Sequence, residues 1–326
     1  MKSLFPPHVT RLESVVWVRD AGEFLRHVGP GTRAAVWQEG VRYDIGVPAA
    51  SSFAVALSDA GVDLESICDV ELWTPPVFFR RDGMPATGIG GMYAGTGSVF
   101  LCLNGPSFDK EARAMLANRP GVVTFAVNNG AHGFRPDLWA CVDAPDRFMG
   151  SIWEDGRILK FVPVKYLAGG GSAMVREAPA VVGFPQNEAF CAERFLREDS
   201  MNWGNHKSRG GGRSVMLVAL RIAWELGFRR VVLVGCDFHM DERRRYWFPE
   251  DRTEQAIRNN MTTYEILRGF FTELLPVFAE AGFAVVNATP GSGLDVFPLV
   301  DLDEEIAATT VDTGGSTLGM YGGKRK

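Results

Sequence analysis

From residue 98 onward, apolar residues fall into unbroken runs of two lengths that alternate along the chain. The short runs Val99–Leu103, Val122–Val127, Leu138–Val142, Val231–Val234 and Ala284–Val286 predict strands buried on both faces. Ile158–Val164 and Ala180–Val182 are weaker strands of the same kind. The longer segments predict helices over Phe108–Asn118, Val215–Leu226 and Thr262–Ala281. The last carries Ile266, Leu267, Phe270, Phe271, Leu274, Leu275 and Phe278 at helical spacing, with a kink expected at Pro276 and an end at Gly282. Such alternation predicts an α/β fold, a mainly parallel sheet with helices on both faces. Right-handed crossovers would bring the strand ends to one rim, carrying Asn104, Asn128, Asp143, Asp237 and Asn287.

The punctuation between runs divides the chain. Residues 1–95 hold short apolar stretches broken by prolines and glycines and predict a small N-terminal α/β lobe or extension. Gly88–Gly97 reads as a flexible link, residues 96–306 as the main domain, and 307–326 as a loose tail. Asn187–Gly212 is polar and glycine-rich and reads as a long functional loop. At the centre lies Gly210–Asp237, a glycine run, an N-cap at Ser214, a buried helix and a buried strand ending at Asp237. The start of that helix suits an anion, although the same glycines would equally serve packing in an ordinary α/β loop.

Composition narrows the class. Hydrophobic residues make up 46% of the 326, enough for a large core, and the net charge of −5 gives no general nucleic-acid binder. The five cysteines are scattered without a CxxC pair, which argues for a reducing compartment and against a zinc site. The N-terminus lacks the apolar core of a signal peptide, and no apolar run is long enough to span a bilayer. The expectation is a cytoplasmic protein with no membrane span, with homo-oligomerisation left open.

Candidate chemistry gathers at the strand ends. Asn104, Gly105 and Ser107 form a strand–turn–helix loop in which Ser107 can cap the helix and Asp109 sits in its first turn. It is neither a GxGxxG motif nor a P-loop. Carboxamides such as Asn104 and Asn128 suit sugar hydroxyls, base edges and phosphates. Asp143 and Asp237 could bind ribose, hold magnesium or act as a base. Gly211, Gly212 and Ser214 supply the second anion-ready loop. Beyond Asp237, the stretch from Phe238 to Phe248 carries His239, three arginines ending at Arg245, and Tyr246. Arginines there could neutralise phosphate and the tyrosine could donate to a leaving oxygen, or the loop is a solvated charged surface. His206 with Lys207, and more weakly His132, are further candidates in mobile loops. No GxSxG elbow and no HExxH motif is present.

Taken together, Asn104-Gly105-Pro106-Ser107, Phe125-Ala126-Val127-Asn128, and Leu226-Gly227-Phe228 leading to Gly235-Cys236-Asp237-Phe238 resemble the small bacterial sialyltransferases with one Rossmann-like domain. The same order is similar to the 6-hydroxymethylpterin diphosphokinase-like family, which has relatives among flagellin-glycosylation accessory factors. The resemblance covers residues 98–300. The first family implies that Asn104 and Asn128 contact the CMP part of a donor, with Asp143 where the family has another asparagine. It also places Gly212–Ser214 on the donor loop and matches Tyr246 to the second of two phosphate-binding tyrosines. His239 stands in place of the first tyrosine, and the family's histidine base has no counterpart among Asn259, Asn260 and Thr262. The implied activity is glycosyl transfer from a nucleotide-sugar donor to an unidentified acceptor, with His239 or Asp237 as base and Arg245 and Tyr246 stabilising the leaving phosphate. The second family implies a magnesium-dependent diphosphokinase with Asp143 and Asp237 on the metal side. A nucleotide-binding module without turnover is the third reading.

Overall fold

The computed structural model describes residues 77–86, 88–167, 173–206, 211–240, 246–250 and 253–318. The expected N-terminal lobe falls almost wholly outside the described residues. Seven parallel strands form the sheet: β1 (Val99–Cys102), β2 (Val123–Val127), β3 (Leu138–Ala140), β4 (Leu159–Pro163), β5 (Val181–Phe184), β8 (Arg230–Val234) and β9 (Ala284–Asn287). Between β5 and β8 lies a separate parallel pair, β6 (Gln186–Asn187) and β7 (Met201–Asn202). The helices are α1 (Lys110–Leu116), α2 (Gly150–Glu154), α3 (Ala173–Glu177), α4 (Val215–Glu225), α5 (Glu254–Glu280) and α6 (Leu302–Thr309).

Strand order is β5-β4-β3-β2-β1-β8-β9. Among the described residues, the strands start in the middle of the sheet, wind outward to β5, and return to lay β8 against the other side of β1. Val99 therefore pairs with Val123 on one side and Val231 on the other. A reversal of winding between β1 and β8 leaves a crevice beyond their carboxyl ends, where open α/β sheets take ligands.

Both faces of the sheet are covered, which is why its strands read as continuous apolar runs rather than alternating ones. Val99, Leu101, Phe125, Val231 and Leu233 pack toward α4 and α5. Phe100, Cys102, Ala126, Val232 and Val234 pack with residues of α1, α2, α3 and α6. Helix α4 is buried without a break from Met216 to Ala223: β2 and β3 lie against it, as do β7 and the carbonyls of Phe195 and Glu198. Arg221 in that run is 1% exposed and donates to the carbonyls of Phe195 and Glu198 and to Glu225. A buried charge is tolerable when it is paired and each of its nitrogens is hydrogen-bonded in this way.

Several elements differ from their expected limits. Helix α5 begins at Glu254, capped by the Thr253 hydroxyl accepting from Ala256 N–H, and continues past Pro276 to Glu280. Its first two turns are mostly polar and exposed, so apolar periodicity shows only from the middle onward. Helix α1 is capped by Asp109, whose carboxylate takes the Glu111 and Ala112 N–H groups. This corrects both the Ser107 cap and the idea of an anion-ready start there. Helix α6 follows an Asp301 cap and runs past Ala307 to Thr309. The expected link at 88–97 is packed: Gly91 and Tyr93 donate to the carbonyls of Glu225 and Leu226, and Tyr93 stacks on Phe228. Among the described residues, no helix is long and apolar enough to cross a membrane.

Candidate functional site

The ladder between β1 and β8 runs past the strand ends. Leu103 N–H donates to Val234 O at 2.8 Å, and Gly105 N–H to Gly235 O at 3.0 Å. Beyond it, Asp237 Oδ2 accepts from the Ser107 hydroxyl at 2.6 Å and the Ser107 N–H at 3.2 Å. A Cβ at residue 105 would fall on that carboxylate and within 2.5 Å of Gly235 O, so glycine is required. Ser107 thus anchors Asp237 and faces a neighbouring groove instead of the main cleft. Phe238, directly after Asp237, holds φ at +51° and stacks on Tyr264 at 4.6 Å. A non-glycine residue in this region is sustained only by surrounding structure, and such positions cluster at functional sites.

The β2 side shows the same strain. Asn128 has φ of +51°, and its carbonyl accepts from the Trp139 indole at 2.7 Å. The side-chain Oδ1 atoms of Asn104 and Asn128 are buried and have no hydrogen-bond partner. A buried acceptor left unmade costs about 1–3 kcal/mol, so two in one place call for explanation. Gly130 gives the Asn104 carboxamide its space, since a Cβ there would come within 2.6 Å of Oδ1. Asp143 pairs with Arg147 at 3.3 Å. Trp247 N–H donates to Asn104 O at 3.2 Å, which fixes the Tyr246–Phe248 segment against this loop.

A second wall comes from distant segments. The residue Gly204 bridges Arg213, and Ser214 N–H donates to Trp203 O at 2.8 Å. Arg213 lies 4.4 Å over the Trp203 ring and pairs with Glu188 at 3.2 Å. The Ser214 hydroxyl caps α4 through Met216 N–H. Together with Asn260, Thr263 and Tyr264 of α5, these residues close a cleft of about 380 Å³. A lobe of about 130 Å³ adjoins it and shares Asn104, Asn128, Asp143, Arg147 and Tyr246.

Of the residues expected from sequence, Asn104, Gly105, Asn128, Asp143, Ser214, Asp237, His239 and Tyr246 line this cleft. Gly211 and Gly212 do not. A Cβ on Gly211 would strike Asn205, and one on Gly212 would press on Thr263 O at 3.1 Å and on Ile266, so both are packing positions. Asn287 is buried and spent on its own loop, accepting from Thr289 N–H and donating to Leu294 O. His206 pairs with Glu188 at 3.8 Å and does not line the cleft. His132 Nδ1 contacts Met149 Sδ at 2.8 Å. Arg245 and Lys207 lie outside the described residues. Trp203, Arg147, Tyr264 and the cleft position of Asn260 were not singled out. Arg213 sits inside the Gly212–Ser214 segment, where a cation beside a helix cap is the one signal the sequence offers for it.

The class these features define is an α/β protein with a polar cleft at the point where the winding of its sheet reverses. No protein-family model matches the chain, and no curated protein matches it. Among solved structures, the MAf glycosyltransferase from Magnetospirillum magneticum AMB-1 is 14% identical with a TM-score of 0.39, over 67% of this chain and 38% of that one. The sialyltransferase CstII from Campylobacter jejuni is 13% identical in two structures, each with a TM-score of 0.36. With cytidine-5'-monophosphate it covers 64% of this chain and 86% of its own, and with CMP-3FNeuAc 67% and 89%. This chain therefore spans well under half of the first of these proteins. At such scores the similarities assign no activity.

Proposed function

We propose that this protein is a glycosyltransferase that takes a nucleotide-activated sugar in the cleft between the ends of β1, β2 and β8. The observation that carries the reading is the pair of buried, unpartnered carboxamide oxygens of Asn104 and Asn128 on adjacent strand ends. They stand ready to accept from hydroxyl or amino groups of a nucleoside, and Arg147 and Arg213 line the same cleft to offset phosphate charge. In the reaction, an acceptor hydroxyl attacks the anomeric carbon and the bond from that carbon to the phosphate oxygen breaks. His239 takes the acceptor's proton, and Tyr246 donates to the departing oxygen. Asp237 has one carboxylate oxygen held by Ser107, which suits it to fixing the loop that carries His239.

A magnesium ion here would take most of its oxygen ligands from the nucleotide's phosphates and from water. No group of three or more His, Cys, Asp or Glu gathers among the described residues, and Asp143 and Asp237 already face Arg147 and Ser107. The diphosphokinase reading therefore depends on magnesium arriving with the nucleotide.

Saturation-transfer NMR with CMP, UDP, GDP and ATP tests the proposal, and failure to bind any of them ends it. With a donor identified, His239→Ala should lower kcat by about 100-fold or more with KM nearly unchanged. Donor binding without turnover in the wild type would leave a binding module instead.

A further inference from the structure

Another part of the cleft lining has the opposite hydrogen-bonding character to the two asparagines. Trp203 Nε1 and Arg213 Nε are both buried donors without a partner, and both residues line the cleft. They are neighbours on one braced ribbon, where the Gly204–Arg213 bridge and the Ser214-to-Trp203 hydrogen bond fix their spacing and the guanidinium lies over the indole. Gly204 takes φ of +103°, and a Cβ there would collide with Gly212 O, so the ribbon has little freedom to shift. Glu188 answers one guanidinium nitrogen at 3.2 Å and is shared with His206 at 3.8 Å, which leaves Nε unanswered. Two adjacent N–H donors, one bearing a full charge, match a group that only accepts.

We propose that the Trp203–Arg213 ribbon is an anion subsite, taking a phosphate or carboxylate oxygen of the cleft's ligand. This rests on and deepens the glycosyltransferase reading by requiring a negatively charged group at this ribbon, in the cleft shared with Asn104 and Asn128. Glu188 then acts as the group the anion competes with for Arg213.

The test uses the full chain with its eight tryptophans ¹⁵N-labelled, the Trp203 indole signal being assigned by Trp203→Phe. Two pairs of probes separate the sources of the anion: CMP against cytidine, and glucuronate against glucose. The Trp203 signal should move with the charged member of at least one pair and stay in place with its neutral counterpart. Arg213→Gln should weaken that binding about tenfold or more, whereas Glu188→Gln should strengthen it severalfold. A gain of affinity cannot come from misfolding. Equal shifts with neutral probes, no response to either anion, or an unchanged affinity in Arg213→Gln overturns the subsite. Nucleotide binding indifferent to Arg213→Gln would leave the glycosyltransferase reading standing without it. Binding of glucuronate alone would do the reverse.

Discussion

Asp237 and Ser107 show how single residues set the site. The 2.6 Å hydroxyl contact joins the loop after β1 to the loop after β8, across the line where the sheet reverses. A hydrogen bond to a charged group contributes about 1.5–3 kcal/mol, less where it is partly exposed. Ser107→Ala should therefore lower stability by about 1–2 kcal/mol in urea titrations. Gly105→Ala should cost more, because its methyl group meets the carboxylate itself. Equal stability of Ser107→Ala and wild type would mean the contact holds nothing. Lys160 on β4 is a second residue with a measurable signature. It is fully buried, and its ammonium donates to the carbonyls of Asp155, Ile158 and Pro179. Burial lowers its pKa from 10.5 to about 8, with Asp155 opposing the shift. Below pH 8 the lysine is protonated folded and unfolded, and the cost of burying the charge is fully present. As pH rises from 8 toward 10.5, the folded lysine is neutral while the unfolded one still binds a proton, so that cost is relieved. Relative to Lys160→Met, the wild type should gain stability between pH 7 and 9.5, and a constant difference would contradict the depressed pKa.

Among the elements, α1 and α4 separate anion binding from capping. The carboxylate of Asp109 already occupies the start of α1, whereas Ser214 leaves the start of α4 with only a neutral hydroxyl. Asp109→Ala should cost about 1 kcal/mol of stability and leave nucleotide affinity unchanged, as read by calorimetry at one salt concentration. A fall in affinity matching the fall in stability would return α1 to the site. The elements also show why some of this was readable in advance. Strands β1, β2 and β8 are covered on both faces, so their runs could not be mistaken for half-buried ones. Their polar ends, Asn104, Asn128 and Asp237, stand where the apolar runs stop. The start of α5 was hidden because its polar first turns lack a periodic apolar face, and α6 because one buried residue, Ile306, makes no pattern. Ser107 and Asp109 are both good caps at adjacent turns, and only the distant Asp237 decides between them. The Trp203–Arg213 wall was illegible for the same reason, since it exists only once residues 203 and 213 are bridged and α5 has crossed the strand ends.

On the scale of the whole molecule, the cleft is a seam between two halves of one sheet. One flank is built by β1, β2 and β3 and carries Asn104, Asn128 and Asp143. The other is built by β8 and α5 and carries Asp237, His239 and Asn260, while α4, which packs against β2 and β3, brings Ser214 to the cleft. The flanks are joined by the ladder between β1 and β8 and by the Ser107–Asp237 contact beyond it. A ligand that donates to the asparagine side and also touches the β8–α5 side would act as a further tie across this seam. At a hundred times its dissociation constant, such a ligand adds about 2.7 kcal/mol to global stability. The gain should appear locally as slowed amide exchange in residues 103–105 and 127–130 together with residues 236–239 and 260–267. Both sets should respond at the same nucleotide concentration, because one molecule spans them. Protection confined to one flank would mean that the ligand sits against a single wall and leaves the seam between β1 and β8 unbridged.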